Sequence, residues 1–339
     1  MRASSKIGAL LLGLAGVWVE VGSHLAPAEA CEVTADEGAR VVPRTQLPVA
    51  PGAHMPAVSG VADLVVLVSL DGFRPDVMGP DTRALHRMRL QGASPHVART
   101  IEKSATLPSH ASMVSGVGPT EHGINFNSFK PERGQIQRPT LFTVAHAAGL
   151  PTVMFVGKGK LRHLLASPRD AQLTVVGMRC DRLVDAALPY LREAKSGVLF
   201  LHFADADSAG HRSGWMSQDY LDAAHRADRC LDRVVDTIAE SGRVDRTLLL
   251  VTADHGGHNR SHGTRLEVDQ RIPWFAWGAG VRRGKFSRPV HTTDTAATVM
   301  AALGLKMPAG IRGTPVVEAF AVGQGPRGFP LQGAALESP

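Results

Sequence analysis

Six stretches of this chain are apolar without alternation. Val65 to Leu70 (VVLVSL) is continuous and rich in β-branched residues, the pattern of a strand buried on both faces. Thr152–Val156, Leu173–Val176, Gly197–Phe203, Thr247–Thr252 and Pro273–Trp277 have the same character. Apolar residues at helical spacing run through Leu183–Leu191 and, in a longer amphipathic stretch, through Asp219–Ile238. A third helix is predicted over Thr293–Leu303, which opens on polar cap residues and stops before Gly304. Strands alternating with helices predict an α/β fold: a largely parallel central sheet with helices on both faces. No internal repeat is visible.

The two ends of the chain have a different texture. Residues 1–30 read as a signal peptide: Arg2 and Lys6 precede an apolar stretch from Ile7 to Val19, and Ala28-Glu29-Ala30 fits a small-x-small cleavage site. That stretch is short for a bilayer span, which needs roughly 20 residues. Cleavage after Ala30 would expose Cys31, the position of a lipoprotein cysteine, but Ala28 stands where a lipobox usually carries Leu. Export to the periplasm or outside the cell, without a lipid anchor, is the preferred reading. Residues 31–60 read as a loose leader and residues 61–322 as one catalytic domain, while 323–339 form a Gly/Pro-rich tail expected to be disordered. No run after the signal is long and apolar enough to cross a membrane.

Composition narrows the function. The chain has 339 residues, enough for one large α/β domain. Its net charge of +6 reads first as that of a mildly basic soluble protein and second as a preference for anionic substrates or surfaces; the basic residues are scattered and only 5% of residues are aromatic. No nucleic-acid groove with stacking platforms is indicated. Of the three cysteines, Cys180 and Cys230 either pair or remain two small buried thiols, and none has zinc–thiolate spacing. Oligomeric state is not encoded in any of these features.

Four segments place Asp and His just beyond expected strands, where ligands bind in open α/β sheets. Asp71 leaves the first strand; Asp76, in the loop after it, reads as a surface carboxylate. Thr106-Leu107-Pro108-Ser109-His110 sets a hydroxyl at the start of a helical stretch, where N–H groups favour a phosphate. Such a Thr is more often a cap, and Ser104 and Ser109 are rival hydroxyls. Asp207 and His211 lie four apart, on one face of a helical turn, with Asp205 as the alternative carboxylate. Asp254-His255 is followed by His258 and His262, a density of ligands that points to metal. Two divalent ions account for the set, one taking Asp71, Asp254, His255 and the Thr106 oxygen, the other Asp207, His211 and a histidine of the last segment. Mixed Asp/His ligation suits Zn²⁺; Mn²⁺ or Fe fits the same residues.

The segments SLDGFRPD, TLPSHASMVSG, EHGINFN, DSAGHRSG and TADHGGH, in this order, resemble the alkaline phosphatase superfamily, in its nucleotide pyrophosphatase/phosphodiesterase branch. The resemblance spans roughly Val61 to Val317. It implies an alkaline phosphatase-like fold, metal ligation by Asp71, Asp254, His255, Asp207 and His211, and Thr106 as nucleophile. It also matches Asn127 to an asparagine that hydrogen-bonds a phosphoryl oxygen. The last histidine departs from the branch, where it lies far downstream; His262-Gly263-Thr264 looks like the short-loop arrangement of the phosphomutases. His262 is therefore the chosen ligand, with His258 second. The large substrate-recognition insertions of the bigger relatives have no counterpart here.

The expected function is hydrolysis of phosphodiesters or nucleotide pyrophosphates through a phospho-threonine intermediate. A phosphomonoesterase or phosphonate hydrolase on the same site is the alternative. A monoesterase would need a positive clamp, for which Arg74, Arg99, Lys158 and Lys160 are candidates. A sulfatase is excluded, since it requires Cys or Ser at position 106 and an Arg where His110 stands. A non-catalytic metal-binding protein retaining the fold would be marked by loss of a ligand or of the hydroxyl, and all are present.

Overall fold

In a computed structural model, residues 60–321 are described. The expected signal peptide, Cys31, most of the leader and the tail lie outside them. Ten strands run in chain order: β1 (Leu64–Leu70), β2 (Ala93–Pro95), β3 (Ala98–Arg99), β4 (Thr152–Val156), β5 (Gln172–Val175), β6 (Gly197–Phe203), β7 (Thr247–Thr252), β8 (Trp274–Gly278), β9 (Gly284–Phe286) and β10 (Val290–His291). The helices are α1 (Arg83–Gln91), α2 (Thr106–Ser115), α3 (Pro119–His122), α4 (Leu141–Ala147), α5 (Cys180–Glu193), α6 (Asp205–Ser213), α7 (Gln218–Glu240), α8 (Glu267–Gln270) and α9 (Asp294–Ala302).

Eight strands form one sheet in the order β5-β4-β6-β1-β7-β8-β2-β9, and β10 pairs with β3 apart from it. β1, β6, β4 and β5 are parallel neighbours, β1 and β7 likewise; β8 runs antiparallel to both of its neighbours. β1, β6 and β7 are buried along their whole length, which requires cover on both faces. One helical layer packs α5, α6 and α1 around the long amphipathic α7, and the other groups α2, α4 and α9. All six expected strands are present. β5 differs in kind, because it is the sheet's outer edge and mostly exposed, so its apolar residues do not mark a strand buried on both faces. The short β2, β3, β9 and β10 escape periodicity, being two or three residues each.

Register is what builds the site. Ser69 pairs with Thr252, and Leu70 with Phe203. The carboxyl ends of β1, β6 and β7 therefore stop level, and the residues that follow them leave from one rim. β4 joins that rim, with Val156 opposite His202. Cys180 and Cys230 form a disulfide that ties the start of α5 to α7 across 50 residues.

Candidate metal centre and nucleophile

Three aspartates meet at the rim. Asp71, directly after β1, and Asp254, two residues after β7, are fully buried; Asp207 is 2% exposed in the first turn of α6. Gly72 has φ +69°, and a Cβ added to it would fall 2.8 Å from Cα and Cβ of Asp207, so a side chain there would push Asp207 out of place. One oxygen of Asp254 accepts from the backbone N–H of Gly72 and of His255. Its other oxygen, with Oδ1 of Asp71 and Oδ1 of Asp207, is buried without a hydrogen-bond partner among the described residues.

Three histidines aim at these orphaned oxygens, each in a fixed tautomer. His255, His211 and His262 donate Nδ1–H to the carbonyls of Gly256, Arg260 and Ser104. Each Nε2 is thereby left as a lone-pair donor. His255 Nε2 lies 3.3 Å from Asp254 Oδ2, 3.5 Å from Asp71 Oδ1 and 3.8 Å from Asp207 Oδ1. His211 and His262 approach Asp207 Oδ1 at 3.3 and 3.7 Å. His258 turns away: its Nδ1 meets the buried Asp269 at 2.7 Å, and Thr264 bonds the other oxygen of that carboxylate.

Thr106 is the first residue of α2 and not its cap. Ala105 holds the cap position without a side-chain bond, which leaves the Thr106 hydroxyl 3.3 Å from His255 Nε2. The rival hydroxyls are engaged elsewhere, Ser104 with the Thr264 carbonyl and Ser109 with Thr100. Asn127 reaches the same helix end, accepting the Leu107 N–H on Oδ1 at 2.9 Å. Asp205 is structural, taking Arg226 and the N–H of Cys180, and Asp76 pairs with Arg74 near the surface.

The donor set fits divalent cations. Asp207, His211 and His262 present ligand atoms within 4.8 Å of one another, and so do Asp71, Asp207 and His255. Asp207 thus faces both groups, while Asp254 borders the second through His255. Three carboxylates are buried here, and the ammonium paired with them is that of Lys158, which lies 2.5 Å from both Asp71 and Asp207. Buried unpaired charge is expensive, and the protein's own groups show it. Burial, and then the charge of Asp71, pushes the Asp254 carboxyl well above its usual range. Burial opposes ionisation of Asp71 too, but Lys158 and His202 hold it well below. Burial, followed by the neighbouring His262, lowers His255 to about 4, so its imidazole is neutral and ready to ligate near neutral pH.

Several residues at the site were not placed by sequence reasoning. His202, the one polar residue near the end of the apolar strand β6, accepts the Gly157 N–H on Nδ1 and donates Nε2–H to Asp71 at 2.9 Å. His110 donates to the Thr106 carbonyl and contacts Ser69 through Nε2. Trp215 donates Nε1–H to the Gly72 carbonyl and packs on the rings of His211 and His262. Of the four clamp candidates, Lys158 and Lys160 are at the site and Lys160 Nζ donates to Asn127 Oδ1 at 2.9 Å. Arg99 is taken by Glu267, and Arg74 reaches Asp76 and the Gly257 carbonyl.

Comparison with known proteins places this α/β domain and its Asp/His set in the alkaline phosphatase superfamily. The family model described as type I phosphodiesterase / nucleotide pyrophosphatase matches residues 65–274, and the chain belongs to that family. It is 25% identical over 232 residues to human ectonucleotide pyrophosphatase/phosphodiesterase family member 7, covering 61% of this chain and 51% of that protein. It is 34% identical over 173 residues to a phosphopentomutase of Methylobacterium, covering 50% and 40% of the two chains. The matched segment therefore spans about half, or less, of these curated relatives. Among solved structures, inactive murine ectonucleotide pyrophosphatase/phosphodiesterase 5 in complex with AMP superposes with TM-score 0.65 at 15% identity, covering 76% of this chain and 99% of that one.

Proposed function

We propose that the chain is an exported, two-metal hydrolase of small anionic phosphate esters, with phosphodiesters or nucleotide pyrophosphates as its main substrates and Thr106 as nucleophile. The observation that carries this reading is the Thr106 hydroxyl itself: it is buried, unused as a cap, and 3.3 Å from the His255 nitrogen that also faces Asp71 and Asp254. Asp71, Asp254 and His255 would hold one ion and Asp207, His211 and His262 the other, as Zn²⁺ or Mn²⁺. Bound there, the ions would supply acidification of the threonine hydroxyl and neutralisation of phosphoryl charge.

The chain's own groups do the rest. The N-terminus of α2 presents its dipole and the Thr106 backbone N–H to the phosphoryl group, the Leu107 N–H being held by Asn127 and Pro108 having none. Leu107 and Lys160 engage Asn127 Oδ1, so the Asn127 amide N–H₂ is turned to donate to a phosphoryl oxygen. Thr106 Oγ forms the new P–O bond and gives up its proton as the P–O bond to the leaving group breaks, and the alcohol of a diester or the phosphate of a pyrophosphate departs with that proton. Water then attacks phosphorus, the Thr106–phosphorus bond breaks, and the hydroxyl is restored. The Cys180–Cys230 disulfide supports export, since such bonds persist in oxidising compartments. No helix among the described residues is long and apolar enough to cross a membrane.

Hydrolysis of bis-p-nitrophenyl phosphate and p-nitrophenyl phosphate by the metal-loaded chain tests this, with Thr106→Ala beside it. Faster diester cleavage, abolished in Thr106→Ala while metal content is kept, is the expected result. Normal turnover in that variant would remove Thr106 from the mechanism. The monoesterase reading has one observation in its favour, Lys160 beside Asn127, which suits the extra charge of a monoester, while Lys158 is paired with Asp71 and Asp207. On that reading Lys160→Ala lowers monoester kcat/KM at least about tenfold more than diester kcat/KM, the scale of a lost charged hydrogen bond.

A further inference from the structure

Beneath the metal centre lies a buried polar group that the reaction does not itself use. β6 stands between β4 and β1 with every residue buried, and its apolar sequence is broken by His202. An imidazole buried in a sheet is costly unless both ring nitrogens find partners. Both do. The Gly157 N–H is shared between the His202 carbonyl and Nδ1, each at 3.2 Å. A backbone N–H can only donate, so Nδ1 carries the lone pair and the proton sits on Nε2. Nε2–H then donates to Asp71 Oδ2 at 2.9 Å.

The ring is held in that orientation by close neighbours. A Cβ added to Gly157 would fall 2.8 Å from Ala204 Cβ and 3.4 Å from His202 Nδ1, so the strand ends meet here without a side chain between them. The ring of His110 packs edge-on against His202, centroids 5.0 Å apart, and is itself tied to Ser69 and to the Thr106 carbonyl.

The two oxygens of Asp71 are thereby made unequal. Oδ2 takes both His202 and the Lys158 ammonium. Oδ1 has no hydrogen-bond partner among the described residues and lies 3.5 Å from His255 Nε2. A carboxylate with one oxygen engaged by two donors has the other left for a cation.

We infer that His202 is a positioning residue for the ion that Asp71, Asp254 and His255 would hold: it fixes the Asp71 carboxylate so that Oδ1 is the oxygen offered to that ion. This role rests on the two-metal reading proposed above, and His202 acts through Asp71.

The test compares two variants of like length that differ in the donor. His202→Gln keeps an N–H near the position of Nε2, and His202→Met fills the space without one. Zn²⁺ affinity of the full chain is measured by competition with a fluorescent chelator, with metal stoichiometry and unfolding midpoint for each protein. Wild type and His202→Gln should bind two ions alike. In His202→Met one of the ions should bind about ten- to a hundredfold more weakly, the scale of losing a partner of a metal ligand, and the other as in the wild type. Heteronuclear NMR of the imidazole nitrogens in the wild-type chain should show His202 protonated on Nε2. Equal Zn²⁺ affinities in His202→Met and His202→Gln, or a His202 proton on Nδ1, overturn the assignment. If the wild type binds two ions and His202→Met matches it, only the role of His202 falls; a wild type that binds no Zn²⁺ removes the two-metal reading and that role together.

Discussion

Gly257→Ala is the substitution whose effect the structure specifies most fully. A methyl group at Gly257 falls 2.2 Å from Cε2 of Trp215 and 2.5 Å from Cδ2. Carbon atoms settle no closer than about 3.5 Å, so the indole must retreat roughly 1.3 Å. It has little room, because Gly210 presses on the same ring, where an added Cβ would lie 2.6 Å from Cδ2. The indole also holds the Gly72 carbonyl at 2.9 Å, directly after Asp71, and its ring lies 5.1 Å from His211 and 5.8 Å from His262. Displacement therefore passes to His211 and His262, the two proposed histidine ligands of one ion. Overpacking of this kind destabilises by about 1–3 kcal/mol, which leaves a domain folded. Misplacing reacting groups by about 1 Å lowers turnover on the order of a hundredfold. Elemental analysis should find less than two ions per chain, with kcat reduced by that order on the diester. Gly210→Ala should act alike, although Ala in place of Gly in a helix ordinarily stabilises by about 1 kcal/mol. Full metal content and wild-type turnover in both variants would refute the reasoning.

Other outcomes follow from the same geometry. His262→Ala should lose one ion, whereas His258→Ala should keep both and lose about 1–3 kcal/mol, since it strips a partner from buried Asp269; metal stoichiometry and urea midpoints separate the two. His122 is held near pKa 4 by burial and accepts the Ile124 N–H on Nδ1, so the fold favours its neutral form. Its contribution is complete above the unfolded value near 6.5 and is lost as pH falls from there through 4, by at most about 3 kcal/mol. Wild-type stability should fall more steeply than that of His122→Gln over this window, and parallel curves would contradict the assignment. Replacing Cys180 and Cys230 by Ser should cost about 4 kcal/mol, from the entropy of closing a loop of 50 residues. A change under about 1 kcal/mol in denaturant unfolding would show that the crosslink does not constrain the unfolded chain.

What could be read from the chain alone was local. Unbroken apolar runs mark β1, β4, β6, β7 and β8, because a strand buried on both faces has no polar side to show. The i, i+4 spacing of Asp207 and His211 puts them on one face of a helix wherever that helix lies, and Asp71 and Asp254 could be named because each follows such a strand. Edge position is not local: Leu173 and Val175 look like core residues until the sheet order leaves β5 with one neighbour. The same holds for the finer choices at the site. Composition does not separate His258 from His262; the short-loop resemblance favoured His262, and the packing of the loop commits His258 to Asp269 and turns His262 toward Asp207. Lys158 and Lys160 were two of four equal candidates until the β4–β6 register carried them to the rim beside Asp71 and Asn127. The pairing of Cys180 with Cys230 likewise depended on α5 lying against α7. Residue type and spacing declare which atoms can bind or attack; only strand register and helix packing decide which of them come within a few ångströms of one another.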